Sequence, residues 1–137
     1  AAAELTIPKS SSKAITSAAG TADVISSVAK IEFSLKEVKK IIQDTNACMI
    51  WGGSLGLVPA DSQIIKIEKM LKIDPKAQLL ASIFSKKLAM GSNVASKYIL
   101  IDIPHGKGAK VSKNQALDLK KNFEKLGKYF KKKVKVV

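Results

Sequence analysis

The sequence predicts an α/β fold, with a mostly parallel sheet and helices on both of its faces. Three observations predict it. Short apolar runs alternate with longer segments whose apolar residues recur at helical spacing. Two capping boxes, SLKE (34–37) and SKNQ (112–115), mark helix starts. The runs ACMIW (47–51) and YILIDI (98–103) have the compact, β-favouring composition of buried strands. Strands separated by helices connect in parallel, because the helix carries the chain back to the starting edge.

In chain order, Leu5 to Ile7 is a short apolar segment before Pro8 and reads as a strand end. The stretch SSSKAITSAAGTADV (10–24) follows as a loop of small hydroxyl residues. Thr21 to Ala29 reads as a short helix. Ser34 caps the next helix, whose inner face is Leu35, Val38, Ile41 and Ile42. ACMIW is a strand ended by Gly52-Gly53, and LGLVPADSQ (55–63) is a loop leading into a helix from Ile64 to Met70. Asp74-Pro75 starts another helix, with aspartate as cap and proline at the first helical position. Its stripe is Leu79, Leu80, Ile83, Phe84 and Leu88. YILIDI enters the glycine-broken loop PHGKGAK (104–110). Ala116, Leu119, Phe123 and Leu126 line the last helix, Gly127 ends it, and VKVV closes as a strand.

The 137 residues make one domain's worth of chain, and 46% hydrophobic content can bury a core. The net charge is +13, and every basic residue is lysine. Lysine is a point charge, whereas arginine supplies the bidentate forks that grip phosphates and guanine edges. The lysines are scattered, with one run at Lys131-Lys132-Lys133 and Lys135, and aromatics are 5%. A nucleic-acid-binding module would cluster its cations and expose aromatics, so this class is disfavoured. A solvated basic surface or a phosphate-bearing partner remains. Cys48 stands alone, so no internal disulfide forms, and its apolar neighbours predict a buried, inert thiol. No apolar run approaches the ~20 residues of a membrane span, and nothing reads as a signal peptide, so no membrane partner and a cytoplasmic location are expected. The chain opens at AAAEL without methionine and closes on a strand-like segment, which predicts a piece of a longer protein.

In parallel sheets, ligands bind beyond the carboxyl ends of the strands. Three loops qualify: the opening loop, the Gly52-Gly53 turn and PHGKGAK. The opening loop offers hydroxyls and backbone amides ahead of a helix start, which suits an anion; a plain Ser/Thr-rich turn is the simpler reading. Ser82 and Lys86 share a helix face and could hold a polar ligand or face solvent. Asp74 is most simply a cap, and could serve as an acid in a suitable environment. Lys107 and Lys110 could reach an anion or stay wet. His105, the only histidine, has no nucleophile or metal partner in its pattern.

Four ordered segments together carry a resemblance. PKSSSKAITSAAGTAD, CMIWGGSLGLVPADSQI, IDPKAQLLASIFSKKLA and YILIDIPHGKGAKV are similar to the central α/β domain of thymidine and pyrimidine-nucleoside phosphorylases. They look closest to the branch of AMP phosphorylases and "putative thymidine phosphorylase" proteins. The resemblance covers nearly the whole chain, so residues 1–137 are expected to form part of that central domain. It implies a pentosyltransferase of nucleotide salvage, which splits a nucleoside or nucleoside 5′-monophosphate with inorganic phosphate into free base and pentose 1-phosphate. AMP phosphorylase specificity, giving adenine and ribose 1,5-bisphosphate, is the alternative. It further implies a nucleoside or nucleotide and phosphate as partners, no cofactor and no metal, and a homodimer for the whole protein. The family's Lys-His-Ser phosphate loop upstream does not occur in this chain, so the piece alone is expected to be inactive.

Carried over by position, the resemblance puts Ser12, Lys13, Ala14, Ile15, Thr16, Ser17 and Thr21 against substrate and phosphate. Ser11 matches a phosphate-contacting serine of the thymidine branch. Asp74 matches the proton donor of the AMP branch, and Ser82 a serine that binds base or nucleotide. Lys86 matches a base-contacting lysine, and Lys110 a further binding lysine. The segment VASK (94–97) looks like an insertion ahead of Lys110. The thymidine branch has Gly-His-Thr-Gly-Gly-Thr where this chain has Thr16-Ser17-Ala18-Ala19-Gly20-Thr21, and it sets an arginine on the base, of which this chain has none. Both departures weaken a strict pyrimidine assignment.

Overall fold

A computed structural model of the chain describes residues 4–92 and 98–137. The VASK segment lies outside the described residues. The elements run β1 (Ile7–Ser11), α1 (Thr21–Ser26), α2 (Leu35–Thr45), β2 (Ala47–Trp51), α3 (Pro59–Leu71), α4 (Lys76–Ser92), β3 (Tyr98–Ile101), α5 (Lys113–Tyr129) and β4 (Lys133–Val136). Strands alternate with helices, and both strand pairs are parallel. The chain divides into two compact units, Ala1–Pro75 and Lys76–Val137.

In the first unit, β1 pairs with β2 in the register Ile7 with Ala47 through Ser11 with Trp51. The strand β1 therefore lies later than predicted. It begins at Ile7 and takes in Pro8 and Lys9 as well as Ser10 and Ser11, the first two residues of the predicted loop. Proline is tolerated here because the Ile7 N–H already points at β2, donating to Asn46 O at 2.9 Å. The next residue's N–H would point away from the ladder, so the missing donor costs nothing. The helix α3 begins five residues before its predicted start. Pro59 at the first helical position has a suitable φ, and Asp61 in the first turn favours the dipole. The helix α1 ends at Ser26, short of Ala29.

The α2 cap forms as the motif predicts. The Ser34 hydroxyl accepts the Glu37 N–H at 3.3 Å, and the Glu37 carboxylate accepts the Ser34 N–H at 2.7 Å. Asn46 closes the helix in the left-handed conformation. Val38 is buried, with Ile41 and Ile42 half-buried behind it, but Leu35 is 57% exposed, so the inner stripe starts one turn later than predicted. Among the described residues of this unit, Ala22, Ile31, Val38 and Ile50 are the buried apolar side chains.

In the second unit, β3 pairs with β4 from Tyr98 with Lys133 to Ile101 with Val136. Alternation along both strands turns Ile99, Ile101 and Val136 inward and leaves Tyr98 and Leu100 exposed. The inward residues join Phe84, Leu119 and Phe123 in one buried cluster, flanked by Leu79, Leu80, Ile83, Leu88 and Leu126. The predicted stripes of α4 and α5 thus both face this core. The strand β3 stops at Ile101 rather than Ile103, although the Ile103 N–H still donates to Val137 O at 2.9 Å. Gly127 does not end α5, which continues to Tyr129. It is a buried close-approach position instead. A Cβ there would collide with the Val134 side chain and stand 3.0 Å from Lys132 O. The helix α4 starts at Lys76, one residue beyond Pro75.

Candidate functional site

Parallel pairing brings the carboxyl ends of β1 and β2 side by side, with Ser11 opposite Trp51. The opening loop leaves one end and the Gly52-Gly53 turn leaves the other. They are stitched together where the Gly52 N–H donates to Ser11 O at 3.2 Å. The loop then folds back on itself around one carboxylate. Asp23 Oδ2 accepts the Ala14 N–H at 2.7 Å and the Gly20 N–H at 2.9 Å. The Ala22 N–H closes the ring by donating to Ser12 O at 3.2 Å. Local sequence makes this possible, because Asp23 is the third residue of α1 and can reach back to its cap, Gly20.

Gly20 is required by closeness. A Cβ at that position would lie 2.6 Å from Ser12 O and 2.9 Å from Ala14 N, both backbone atoms that cannot swing aside. The two N–H donors, Ala14 before Gly20, hold the Asp23 carboxyl below the usual carboxylate range, with Lys13 and Lys69 assisting against partial desolvation. With its charge engaged by backbone, Asp23 shapes the loop rather than filling it. Ser12, Thr16, Ser17 and Thr21 are exposed around it, while Ser11, Ala14 and Ile15 are half-buried.

Lys13 is held on two sides. Its ammonium donates to Glu32 Oε1 at 2.7 Å and sits 4.0 Å from the Trp51 ring centroid. The Trp51 ring is itself confined, since a Cβ on Gly53 would come within 2.6 Å of it. The first unit thus joins the predicted residues 11–17 and Thr21 into one loop. Asp74, in the same unit, lies half-buried in the segment between α3 and α4.

In the second unit, the predicted pair is formed. Lys86 Nζ donates to Ser82 Oγ at 2.8 Å, one helical turn apart on α4. Lys86 is 8% exposed, rare burial for a lysine, and Ser82 is half-buried. Lys110 is exposed on the loop after β3. That loop is pinched by a bridge between His105 and Val111, and Gly106 and Gly108 take its left-handed positions at φ 128° and 80°. Burial pushes the Cys48 thiol up, in keeping with an unreactive group. Among the described residues, no cluster of three or more His, Cys, Asp or Glu side chains could hold a metal, and no helix is long and apolar enough to cross a membrane.

Sequence reasoning missed Asp23, Gly20, Glu32 and Trp51. A signal existed for the first two: Gly-Thr-Ala-Asp places an acid three residues after a cap, half of a capping box. Nothing local pairs Lys13 with Glu32 or Trp51, which lie far along the chain.

No protein-family model matches the chain. Curated proteins do. The AMP phosphorylases of Thermococcus sibiricus and Thermococcus kodakarensis are each 57% identical over 129 residues, covering 93% of this chain and 25% of theirs. The AMP phosphorylase of Methanococcus maripaludis strain S2 is 49% identical over 139 residues, covering all of this chain and 26% of its own. The chain spans about a quarter of the length of the relatives it matches. By this likeness, the chain is a homologue of one segment of the AMP phosphorylases.

Proposed function

We propose that the protein to which this segment belongs is a thymidine phosphorylase-type pentosyltransferase acting on a nucleoside 5′-monophosphate. AMP is its foremost substrate. Inorganic phosphate attacks the anomeric carbon, the glycosidic bond breaks, and free base and a pentose 1-phosphate leave. With AMP, the products are adenine and ribose 1,5-bisphosphate. The observation that carries this reading is 57% identity to AMP phosphorylases along 93% of the chain. The chain's lack of arginine supports a purine nucleotide over a pyrimidine nucleoside, since the thymidine branch sets arginine on the base.

The reaction needs three things that residues of this chain are suited to supply. The attacking phosphate must be fixed below the sugar, and Ser11, Ser12, Lys13, Thr16, Ser17 and Thr21, with the backbone of Ile15, offer hydroxyls, an amide and one cation, while Ala14, its N–H held by Asp23, lines the same loop. The departing base takes the bonding electrons and needs a proton, which we assign to Asp74. The base or nucleotide needs polar contacts, which we assign to Ser82, Lys86 and Lys110. Phosphate is a co-substrate, and no cofactor enters. In the complete protein this segment forms part of the central domain, its parallel strands covered by helices on both faces. We further propose that the whole protein is a cytoplasmic homodimer that engages neither nucleic acid nor membrane.

The test uses the full-length protein with phosphate and, separately, AMP, adenosine, thymidine, uridine and cytidine, measuring released base. Release from AMP is expected. No release from any substrate overturns the phosphorylase reading, and release from thymidine or uridine but not AMP overturns the nucleotide assignment. Asp74→Asn is expected to lower kcat far more than it raises KM; an unchanged rate would return Asp74 to a structural role.

A further inference from the structure

We propose that Trp51 and Glu32 are positioning residues for Lys13: Trp51 keeps the ammonium at the mouth of the opening loop, and Glu32 is a resident counterion that a phosphate group displaces. The inference rests on the phosphorylase reading, and it concerns two residues to which nothing in that reading gives a role.

The geometry carries it. Trp51 is the last residue of β2, directly opposite Ser11 at the point where the loop begins. Its N–H donates to Ile31 O at 2.9 Å, which brings the neighbouring Glu32 to the same end of the sheet. Lys13 reaches both, 2.7 Å to a Glu32 oxygen and 4.0 Å to the Trp51 ring centroid. A lysine in the open would sample many rotamers, and ordering it on binding would cost entropy. Here the aromatic face orders it beforehand, and the small Gly53 leaves the ring its room. The two partners differ in what an anion does to them. Ring and phosphate can touch the ammonium together, since the ring uses only its own face. Glu32 and phosphate compete, because both are anions seeking the same three N–H donors. Glu32 is 54% exposed at its side chain, so it can swing into water when displaced.

The experiment measures kcat and KM for phosphate in the full-length enzyme. Base release by the wild type comes first; without it the phosphorylase reading itself fails, separately from this inference. In an active wild type, Trp51→Leu is expected to raise KM for phosphate about fivefold to tenfold with kcat little changed, from loss of a partly desolvated cation–π contact. Trp51→Phe should restore most of that loss. Glu32→Gln is expected to lower KM. In a Lys13→Met background, neither change should alter KM further. Equal effects of Trp51→Leu with and without Lys13, failure of Phe to rescue, or a raised KM in Glu32→Gln would each overturn the proposal.

Discussion

One carboxylate oxygen of Asp23 lies 2.7 Å from the backbone nitrogen of Ala14, nine residues earlier in the chain. The same oxygen takes the Gly20 N–H, so a single side chain ties both ends of a seven-residue turn. The loop's exposed hydroxyls are arranged around that tie. Asp23→Asn keeps the shape of the side chain but replaces a charged acceptor with a neutral one. We expect KM for phosphate in the full-length enzyme to rise on the order of tenfold or more, because small displacements of binding groups are costly. Unchanged KM would show that the loop holds its form without the tie.

The same carboxyl adds to stability only when ionised. Its folded pKa lies below the ordinary carboxylate value. The contribution is present above that ordinary value and is lost as pH falls through the lowered one. Glu37 behaves alike: the Lys30 ammonium, the Ser34 N–H and the Ser34 hydroxyl lower its pKa from 4.5 to about 2. Thermal unfolding of the wild type and Glu37→Gln should therefore differ above about pH 4.5 and converge as pH approaches 2. A constant difference across that window would mean that Glu37 acts without its charge.

Gly20→Ala should damage the loop more than its size suggests. The new methyl would press on Ser12 O and Ala14 N, and backbone atoms cannot rotate out of the way. A cost of about 1–3 kcal/mol is expected from overpacking, read by denaturant unfolding, together with lost substrate affinity. Full stability with normal affinity would mean that the loop opens without penalty.

Gly127→Ala tests the second unit in a similar way, with a different neighbour. The added Cβ meets the Val134 side chain, so about 1–3 kcal/mol of stability should be lost. Val134→Ala removes most of the obstruction. The glycine substitution should cost clearly less in that background, as a double-mutant cycle would reveal. Additive costs would place the strain elsewhere.

Phe123 is 1% exposed, and its ring centroid stands 6.4 Å from that of Phe84 on α4. Phe123→Ala should cost about 3–5 kcal/mol through lost burial and the cavity left behind. Such a loss would leave little of the stability of a unit this small. A cost below about 1 kcal/mol would show that the cluster collapses freely around the gap.

Residue order foretells structure where the physics is local. Ser34 with Glu37, and Ser112 with Gln115, cap their helices as the motifs predict, since each involves atoms three residues apart. Leu79, Leu80, Ile83, Phe84 and Leu88 line one core because helical period alone puts them together. It does not where pairing with a distant partner overrides local preference. Pro8 and Ser10 look like loop residues, yet β2 recruits them into a strand. Gly127 looks like a helix end, yet Val134 requires its small size.

The site divides along the same line. The hydroxyl-rich loop, the Ser82–Lys86 spacing and the likeness to phosphorylases were all present in the order of residues, because they depend on residue type and short separation. The clamp of Asp23 on Ala14, and the cradle of Glu32 and Trp51 around Lys13, required the fold. Lys13 and Trp51 are neighbours only because two parallel strands end together. No periodicity in a one-dimensional sequence encodes that meeting.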